Sequence, residues 1–243
     1  MKKRFNVTGR CISKWHYMAD VSKKLEETLD MVEIGEYFII NRPRQYGKTT
    51  TLNIIEDVLK ERDGYFVFST SFEGISQSNF DSDASLAAGF IRILADSVRY
   101  FAPDVTAFML EDATKIHSFE DLSNYITALT LKMNKHVVVL IDEVDQSANN
   151  ELFVRFLALL RNKYLLRDKI PTFHSVVLAG LHDVKSLKLK LRPNEEQKYN
   201  SPWNVATDYK VNMNLQPFEI KPMLEDYCQE TGVTMDTQAM SDL

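Results

Sequence analysis

Apolar and polar positions change period along the chain, and these changes separate alternating helices and strands. From Ser22 the apolar residues Leu25, Leu29 and Val32 recur at helical spacing, and Gly35 is placed to end that helix. Short apolar runs follow at intervals, each of a length that suits a buried strand better than a helix. These runs predict four strands: one that begins at Tyr37, one at residues 65–71, one within residues 135–145 that ends in carboxylates, and one at residues 173–180.

The segments between these runs have helical spacing. Leu52, Ile55 and Leu59 form one apolar face, and a second helix is predicted over residues 81–101, closed by Pro103. Ser118 introduces a third helix, and residues 150–164 form a fourth. Strands that alternate with helices predict an α/β fold.

The first strand runs into the segment Arg42-Pro-Arg-Gln-Tyr-Gly-Lys-Thr49, which is typical of a phosphate-binding loop. Such a loop aims backbone N–H groups and the positive end of a helix dipole at phosphate. Lys48 is expected to reach the β- and γ-phosphates, and the Thr49 hydroxyl to ligate Mg²⁺. A glycine is usual where this chain has Arg42, so the loop entry is expected to differ in shape. The predicted nucleotide-binding residues are Arg44, Gln45, Tyr46, Gly47, Lys48, Thr49 and Thr50.

The third strand ends in the acidic segment Ile-Asp-Glu-Val-Asp at residues 141–145. Ligands of open α/β sheets bind at the carboxyl ends of the strands, so these carboxylates should face the loop. Asp142 is predicted to hold Mg²⁺ and Glu143 to act as general base, with Asp145 farther from the metal. An ordinary strand ending in a solvated acidic turn is the alternative, and the pairing with Gly47-Lys48-Thr49 favours the functional interpretation.

Three further segments of the sequence have both a functional and a structural interpretation. His16 and Tyr17 are candidates for contact with adenine, or else Tyr17 packs at the domain edge. His182 or Asp183 is a candidate sensor of the γ-phosphate, or else belongs to a polar turn. Arg192 lies in a stretch where leucine alternates with basic residues. It is a candidate for contact with a neighbouring subunit's nucleotide or with a nucleic acid, or else it is simply exposed.

Composition narrows the range of partners. The 243 residues include 29 Lys and Arg against 34 Asp and Glu, a net charge of −5 that offers no overall attraction to nucleic acid or membrane. The two cysteines, Cys11 and Cys228, form neither a disulfide framework nor a zinc motif. No apolar run is long enough to span a bilayer, so a cytoplasmic protein is expected.

The C-terminal part predicts a fifth strand at residues 208–215, followed by a helix with Pro222 in its first turn and Gly232 at its end. We therefore expect a core over residues 1–215 and the beginning of a helical lid over residues 216–243. A single amphipathic helix cannot bury its own apolar face. Either the chain is truncated, or this helix packs back on the core.

The chain contains three motifs: Arg-Pro-Arg-x-x-Gly-Lys-Thr at 42–49, Ile-Asp-Glu-Val-Asp at 141–145, and Val-Leu-Ala-Gly at 177–180 with the following Ser-Pro-Trp-Asn-Val at 201–205. Together they resemble the motifs of the prokaryotic AAA-like P-loop ATPases. These are relatives of the signal-transduction ATPases with numerous domains and of archaeal ATPases. The resemblance covers about residues 15–230 and includes the arginine at position 42. It implies a P-loop NTPase of the additional-strand type, with a five-stranded parallel sheet in the order 5-1-4-3-2, Mg-ATP binding, and hydrolysis used as a conformational switch.

Two hypotheses for function follow. In the first, the chain is an Mg²⁺-dependent ATPase in which Lys48 and Glu143 are catalytic and Thr49 and Asp142 bind the metal. In the second, it is a switch that binds ATP or ADP with negligible turnover until a second copy or a missing C-terminal domain completes the site. A nucleic-acid-linked or defence ATPase is a third interpretation, which the charge balance does not favour. One of the two loop arginines, Arg42 or Arg44, is predicted to point away from the nucleotide into an ion pair.

Overall fold

A computed structural model of the chain describes residues 2–7, 9–43, 46–144, 151–180, 207 and 209–242. Within that range, four parallel strands form one sheet in the order β1-β4-β3-β2. The strands are β1 (Tyr37–Asn41), β2 (Tyr65–Ser71), β3 (His136–Asp142) and β4 (Ser175–Gly180). The predicted order of these four strands is confirmed.

The helices lie between the strands and after the sheet. Before β4 they are α1 (Ser22–Glu33), α2 (Lys48–Lys60), α3 (Asp83–Ser97), α4 (Pro103–Ala113), α5 (Phe119–Met133) and α6 (Glu151–Leu165), with a short 3₁₀ helix at Gln77–Phe80. After it come α7 (Pro217–Thr231) and α8 (Thr237–Ser241). Pro103 does not merely close a helix, as the sequence pattern predicts, because it also occupies the first turn of α4. Its fixed φ and missing N–H suit that position.

Alternating strand residues feed two separate hydrophobic cores. Tyr37 and Ile39 face the larger core with residues of α3, α5 and α6, whereas Phe38 and Ile40 face the smaller core with residues of α1 and α2. This period of two is the geometry of a strand that is covered on both faces. Because the four strands are parallel, their carboxyl ends lie at one edge of the sheet.

The predicted fifth strand is wrong for the described residues. Thr207 makes one bridge to β1, its N–H donating to the carbonyl of Tyr37 at 2.9 Å, but residues 209–215 form no ladder. The alternation of apolar residues that predicted a strand does match their burial, since Tyr209, Val211 and Met213 are buried in the smaller core. The carbonyl of Val211 accepts from the Arg42 guanidinium at 3.3 Å. Side-chain burial thus follows a strand pattern here without the backbone pairing.

The helix predicted after residue 215 is present as α7, and it packs back on the rest of the chain. The prediction that Pro222 lies in its first turn is wrong, because Pro217 begins the helix and Pro222 lies inside it. Gln216 and Glu219 form a reciprocal cap at its start, and Gly232 adopts a left-handed conformation at its end. Glu219 is only 2% exposed, and its carboxylate accepts from Lys24 Nζ of α1 at 2.5 Å. The division into a core and a lid stays a prediction. In the described part of the chain no helix combines the length and apolarity needed to cross a membrane.

Two histidines meet at the edge of the sheet where the strands begin, and they predict acid sensitivity. The rings of His136 and His174 lie 4.3 Å apart between centroids. Burial and, after it, the nearby His136 hold the pKa of His174 below its ordinary value of 6.5. The unfolded chain therefore takes up a proton more readily than the folded chain, so stability should fall as the pH drops below 6.5.

The substitution His174→Gln tests this expectation. It should reduce the loss of stability between about pH 7 and about pH 5, measured as the urea midpoint at each pH. The matched variant His117→Gln, at the start of α5, should retain the wild-type pH dependence. An unchanged pH dependence in His174→Gln would show that this histidine does not contribute to it.

Candidate functional site

The loop between β1 and α2 opens a helix N-terminus at the carboxyl edge of the sheet. Gly47 stands just before α2 in the left-handed conformation, with φ of 74°. No side chain caps the start of α2 within the described chain. The first N–H groups of a helix lack intrahelical partners, and together with the helix dipole they attract anions. The conformation of Gly47 and the uncapped start of α2 are compatible with the predicted phosphate-binding role.

Lys48 is folded into the loop that precedes it. Its Nζ donates to the carbonyl of Arg42 at 2.9 Å and to that of Pro43 at 3.0 Å, and the residue is only 7% exposed. A buried ammonium needs acceptors on every side, and two neutral carbonyls only partly replace its water shell. A phosphate oxygen is a stronger partner for this charge than a carbonyl.

Thr49 and Asp142 form the central contact of the site. The Thr49 hydroxyl donates to Asp142 Oδ2 at 2.5 Å, which joins the start of α2 to the end of β3. Asp142 is buried, and its other oxygen, Oδ1, accepts from the N–H of Glu143 at 2.9 Å. The two predicted metal ligands are thus brought together by the fold, although 93 positions separate them in sequence.

The donor set of this pair fits Mg²⁺. Hydroxyl and carboxylate oxygens are the hard ligands that Mg²⁺ prefers, and the ion usually completes its shell with water and substrate phosphate. In the residues the structure describes, no group of three or more His, Cys, Asp or Glu side chains could hold a metal by itself.

Glu143 has an unusual backbone conformation. Its φ is 52°, and Asn134 is the other non-glycine residue with positive φ in the described chain. Asn134 ends α5, where asparagine tolerates this conformation well. Glutamate has no such tolerance, so the conformation costs about 1–3 kcal/mol and is typical of functional sites.

Two of the remaining loop residues are described. Thr50 lies in the first turn of α2, and its hydroxyl accepts from the N–H of Cys11 at 3.3 Å. The side chain of Tyr46 is exposed. Neither observation tests the predicted role of Thr50 or Tyr46 in nucleotide binding. The predictions made for Arg44, Gln45, Asp145, His182, Asp183 and Arg192 lie outside the described residues.

Arg42 turns away from the loop, but its described partners are not carboxylates. Its guanidinium donates to the carbonyl of Asn41 at 2.7 Å and to that of Val211 at 3.3 Å. Its own N–H donates to the carbonyl of Gly180 at 3.2 Å, which extends the pairing of β1 with β4. The ion pair predicted for one of the two arginines is therefore not what Arg42 forms. Its contacts anchor the loop entry to the segment beside β1.

His16 and Tyr17 have structural partners. His16 Nδ1 accepts from the N–H of Ile12 at 2.9 Å, and the Tyr17 hydroxyl donates to Glu230 Oε2 of α7 at 2.7 Å. Tyr17 also packs against the rings of Phe5 and Tyr227. Of the two interpretations given for Tyr17, these contacts support the packed one. Spacing along the sequence gave no signal for its pairing with Glu230.

No protein-family model matches the sequence, and no curated protein matches it. Solved structures are similar to the fold. The Walker-type ATPase PABY2304 of Pyrococcus abyssi matches with a TM-score of 0.63 at 13% identity, over 98% of this chain and 65% of that one. The ADPNP-ADP complexes of the Aeropyrum pernix ORC2 protein match with a TM-score of 0.52 at 14% identity, over 91% of this chain and 55% of that one.

A structure of Drosophila ORC bound to GC-rich DNA and Cdc6 is also similar, with a TM-score of 0.51 at 10% identity, over 84% of this chain and 30% of that one. The chain thus spans less than two thirds of each of these proteins. At these identities the likeness establishes the fold. The predicted α/β fold agrees with the fold of these structures.

Gly47 offers a test of the loop geometry. A Cβ at this position would meet no described atom within 4 Å, so only the left-handed backbone opposes a side chain. Gly47→Ala should therefore lower the free energy of unfolding by about 1–2 kcal/mol, measured by urea titration.

Gly64 is the matched control, because it has φ of 95° and equally open surroundings but lies in the turn before β2. Gly64→Ala should cost similar stability. Only Gly47→Ala should also weaken binding of a fluorescent ATP analogue. Equal analogue binding by the two variants would count against a phosphate-binding role for the loop.

Proposed function

We propose that the chain binds Mg-ATP and hydrolyses it, as a AAA-like P-loop ATPase that uses the reaction as a conformational switch. The hydrogen bond between Thr49 and Asp142 carries this proposal, because it places a hydroxyl and a carboxylate together beside the helix N-terminus. The fold shared with a Walker-type ATPase and with a nucleotide-bound ORC2 protein supports it.

Binding would use groups that are already arranged. Lys48 would exchange the carbonyls of Arg42 and Pro43 for phosphate oxygens, and the free N–H groups at the start of α2 would donate to the same phosphates. Thr49 and Asp142 would hold Mg²⁺. The ion, when bound, neutralises the charge that develops on the transferred phosphoryl group.

Glu143 would act on the attacking water. It follows Asp142, the proposed metal ligand, directly, and its backbone is held in a left-handed conformation. A carboxylate that orients a water and accepts its proton is the general base that phosphoryl transfer to water requires. Asp142 and Glu143 therefore have different tasks although they are adjacent.

Lys48→Ala tests the binding step. Loss of a charged hydrogen-bonding group should weaken ATP binding roughly 10- to 100-fold, measured by calorimetric titration. Lys60→Ala, at the other end of α2, is the matched control, because Lys60 pairs with Glu56 at the surface. Wild-type affinity in Lys48→Ala would contradict the assignment.

Glu143→Gln tests the chemical step separately. The amide keeps the shape of the side chain but cannot accept the proton, so phosphate release should fall about 10²- to 10⁴-fold while ATP affinity stays near that of the wild type. Glu61→Gln, exposed at the far end of α2, should leave both quantities unchanged. Undiminished phosphate release by Glu143→Gln would rule out the general-base role.

The second candidate is a nucleotide-binding switch that turns over only when assembled. Its support is that one similar structure is of an assembly, Drosophila ORC bound to GC-rich DNA and Cdc6. Phosphate release per molecule should then rise with protein concentration, since a neighbouring copy completes the site. A specific activity independent of concentration would favour the self-sufficient ATPase.

A further inference from the structure

The segment that precedes α1 contacts two helices, α2 and α7. We call residues 2–7 and 9–20 the N-terminal strap. One end of the strap contacts α7, and its middle contacts α2, the helix that begins at Lys48. Its two halves are tied to each other, because the N–H of Arg4 donates to the carbonyl of Trp15 at 3.0 Å and the N–H of Tyr17 to that of Arg4 at 3.2 Å.

Glu230 of α7 is the main anchor of the strap. Its Oε2 accepts from the Tyr17 hydroxyl at 2.7 Å, and its Oε1 accepts from the N–H of Lys3 at 3.1 Å. Lys3 Nζ also pairs with Asp226, one turn earlier on α7, at 2.8 Å. Tyr17 is only 3% exposed, and burial, with the hydrogen bond to Glu230 second, raises its pKa to about 12. The hydroxyl therefore remains a donor across the range in which the carboxylate is charged.

Aromatic packing and a second backbone contact add to this anchor. Phe5, Tyr17 and Tyr227 form a cluster with ring centroids 5.0 to 5.4 Å apart. At the other end of the strap, the N–H of Asp20 donates to the carbonyl of Glu219 at 2.8 Å. The strap thus contacts both the first and the last turns of α7, so a displacement of α7 would break these contacts or displace the strap.

The middle of the strap contacts the phosphate end of α2. The N–H of Cys11 donates to the Thr50 hydroxyl at 3.3 Å, and Arg10 pairs with Asp57 farther along α2 at 3.0 Å. Thr50 follows the predicted metal ligand Thr49 and belongs to the first turn of the helix. A bound triphosphate would lie against this same turn.

The Thr50 hydroxyl can contact both the strap and a phosphate. A hydroxyl that accepts one hydrogen bond keeps its own hydrogen for donation. Thr50 can therefore accept from Cys11 and donate to a phosphate oxygen at once, and each bond polarises the hydroxyl in favour of the other. Nucleotide and strap should strengthen each other's hold on α2.

We propose that the N-terminal strap couples occupancy of the phosphate-binding loop to the position of α7, with Tyr17 and Glu230 as positioning residues for nucleotide. This inference rests on the nucleotide site proposed above. By linkage, a contact that raises nucleotide affinity through the strap must be strengthened by nucleotide to the same degree. Release of the strap from α7 should weaken binding, and binding should protect both the strap and α7.

The first experiment uses the wild-type chain. Hydrogen exchange of residues 2–20 and 217–231 is measured with and without saturating Mg-ADP, and ADP affinity is measured by calorimetry. We expect ADP to slow exchange in both segments. Failure of the wild type to bind ADP would overturn the nucleotide site itself. Binding without slower exchange in either segment would overturn the coupling alone.

The second experiment uses Tyr17→Phe and Glu230→Gln. Tyr17→Phe keeps the aromatic cluster and removes the hydroxyl, so it isolates the bond to Glu230. Each variant should bind ADP roughly fivefold or more weakly than the wild type, with faster exchange of the strap. Lys115→Ala, which breaks an exposed ion-pair cluster on α4, should bind ADP as the wild type does.

Wild-type ADP affinity in a folded Tyr17→Phe variant whose strap exchanges faster would overturn the proposal. Glu230→Asp offers a check by conservative replacement. Its carboxylate can still accept from Tyr17, so its ADP affinity should lie between those of the wild type and Glu230→Gln. A variant that fails to fold leaves the wild-type exchange measurement as the deciding test.

Discussion

The hydrogen bond between Thr49 and Asp142 is the contact on which the site depends. It joins the helix after β1 to the end of β3, although β4 lies between these two strands in the sheet. Parallel strands bring their carboxyl ends to one edge, and the strand order then sets which ends are near the loop. A four-stranded core in the order β1-β4-β3-β2 suffices for this, even though residues 209–215 add no ladder.

Two backbone conformations support that contact. Gly47 and Glu143 both have positive φ, one at the start of α2 and the other just after Asp142. Glycine adopts this conformation without strain, whereas glutamate does so at a cost. The strained residue is the one with the proposed chemical role, and the buried Asp142 beside it accepts from its N–H.

Short-range sequence patterns were sufficient to predict those elements of the fold that the local sequence determines. Four strands, the loop and the residues Lys48, Thr49 and Asp142 follow from apolar runs and from motifs with a chemical reason. That residues 209–215 form no ladder could not be foreseen, because burial alternates there as in a strand while backbone pairing depends on β1. The contact of Tyr17 with Glu230 was equally hidden, since 213 positions separate the partners and neither belongs to a motif.

The central claim is that Thr49 and Asp142 form the metal side of a nucleotide site. Calorimetric titration of ATP, with Mg²⁺ and with excess chelator, tests it most directly in the wild type and in Asp142→Asn. We predict that Mg²⁺ tightens binding by the wild type roughly tenfold or more, equivalent to about 1.4 kcal/mol, and that the variant binds alike in both conditions. An equal Mg²⁺ dependence in wild type and variant would contradict the claim.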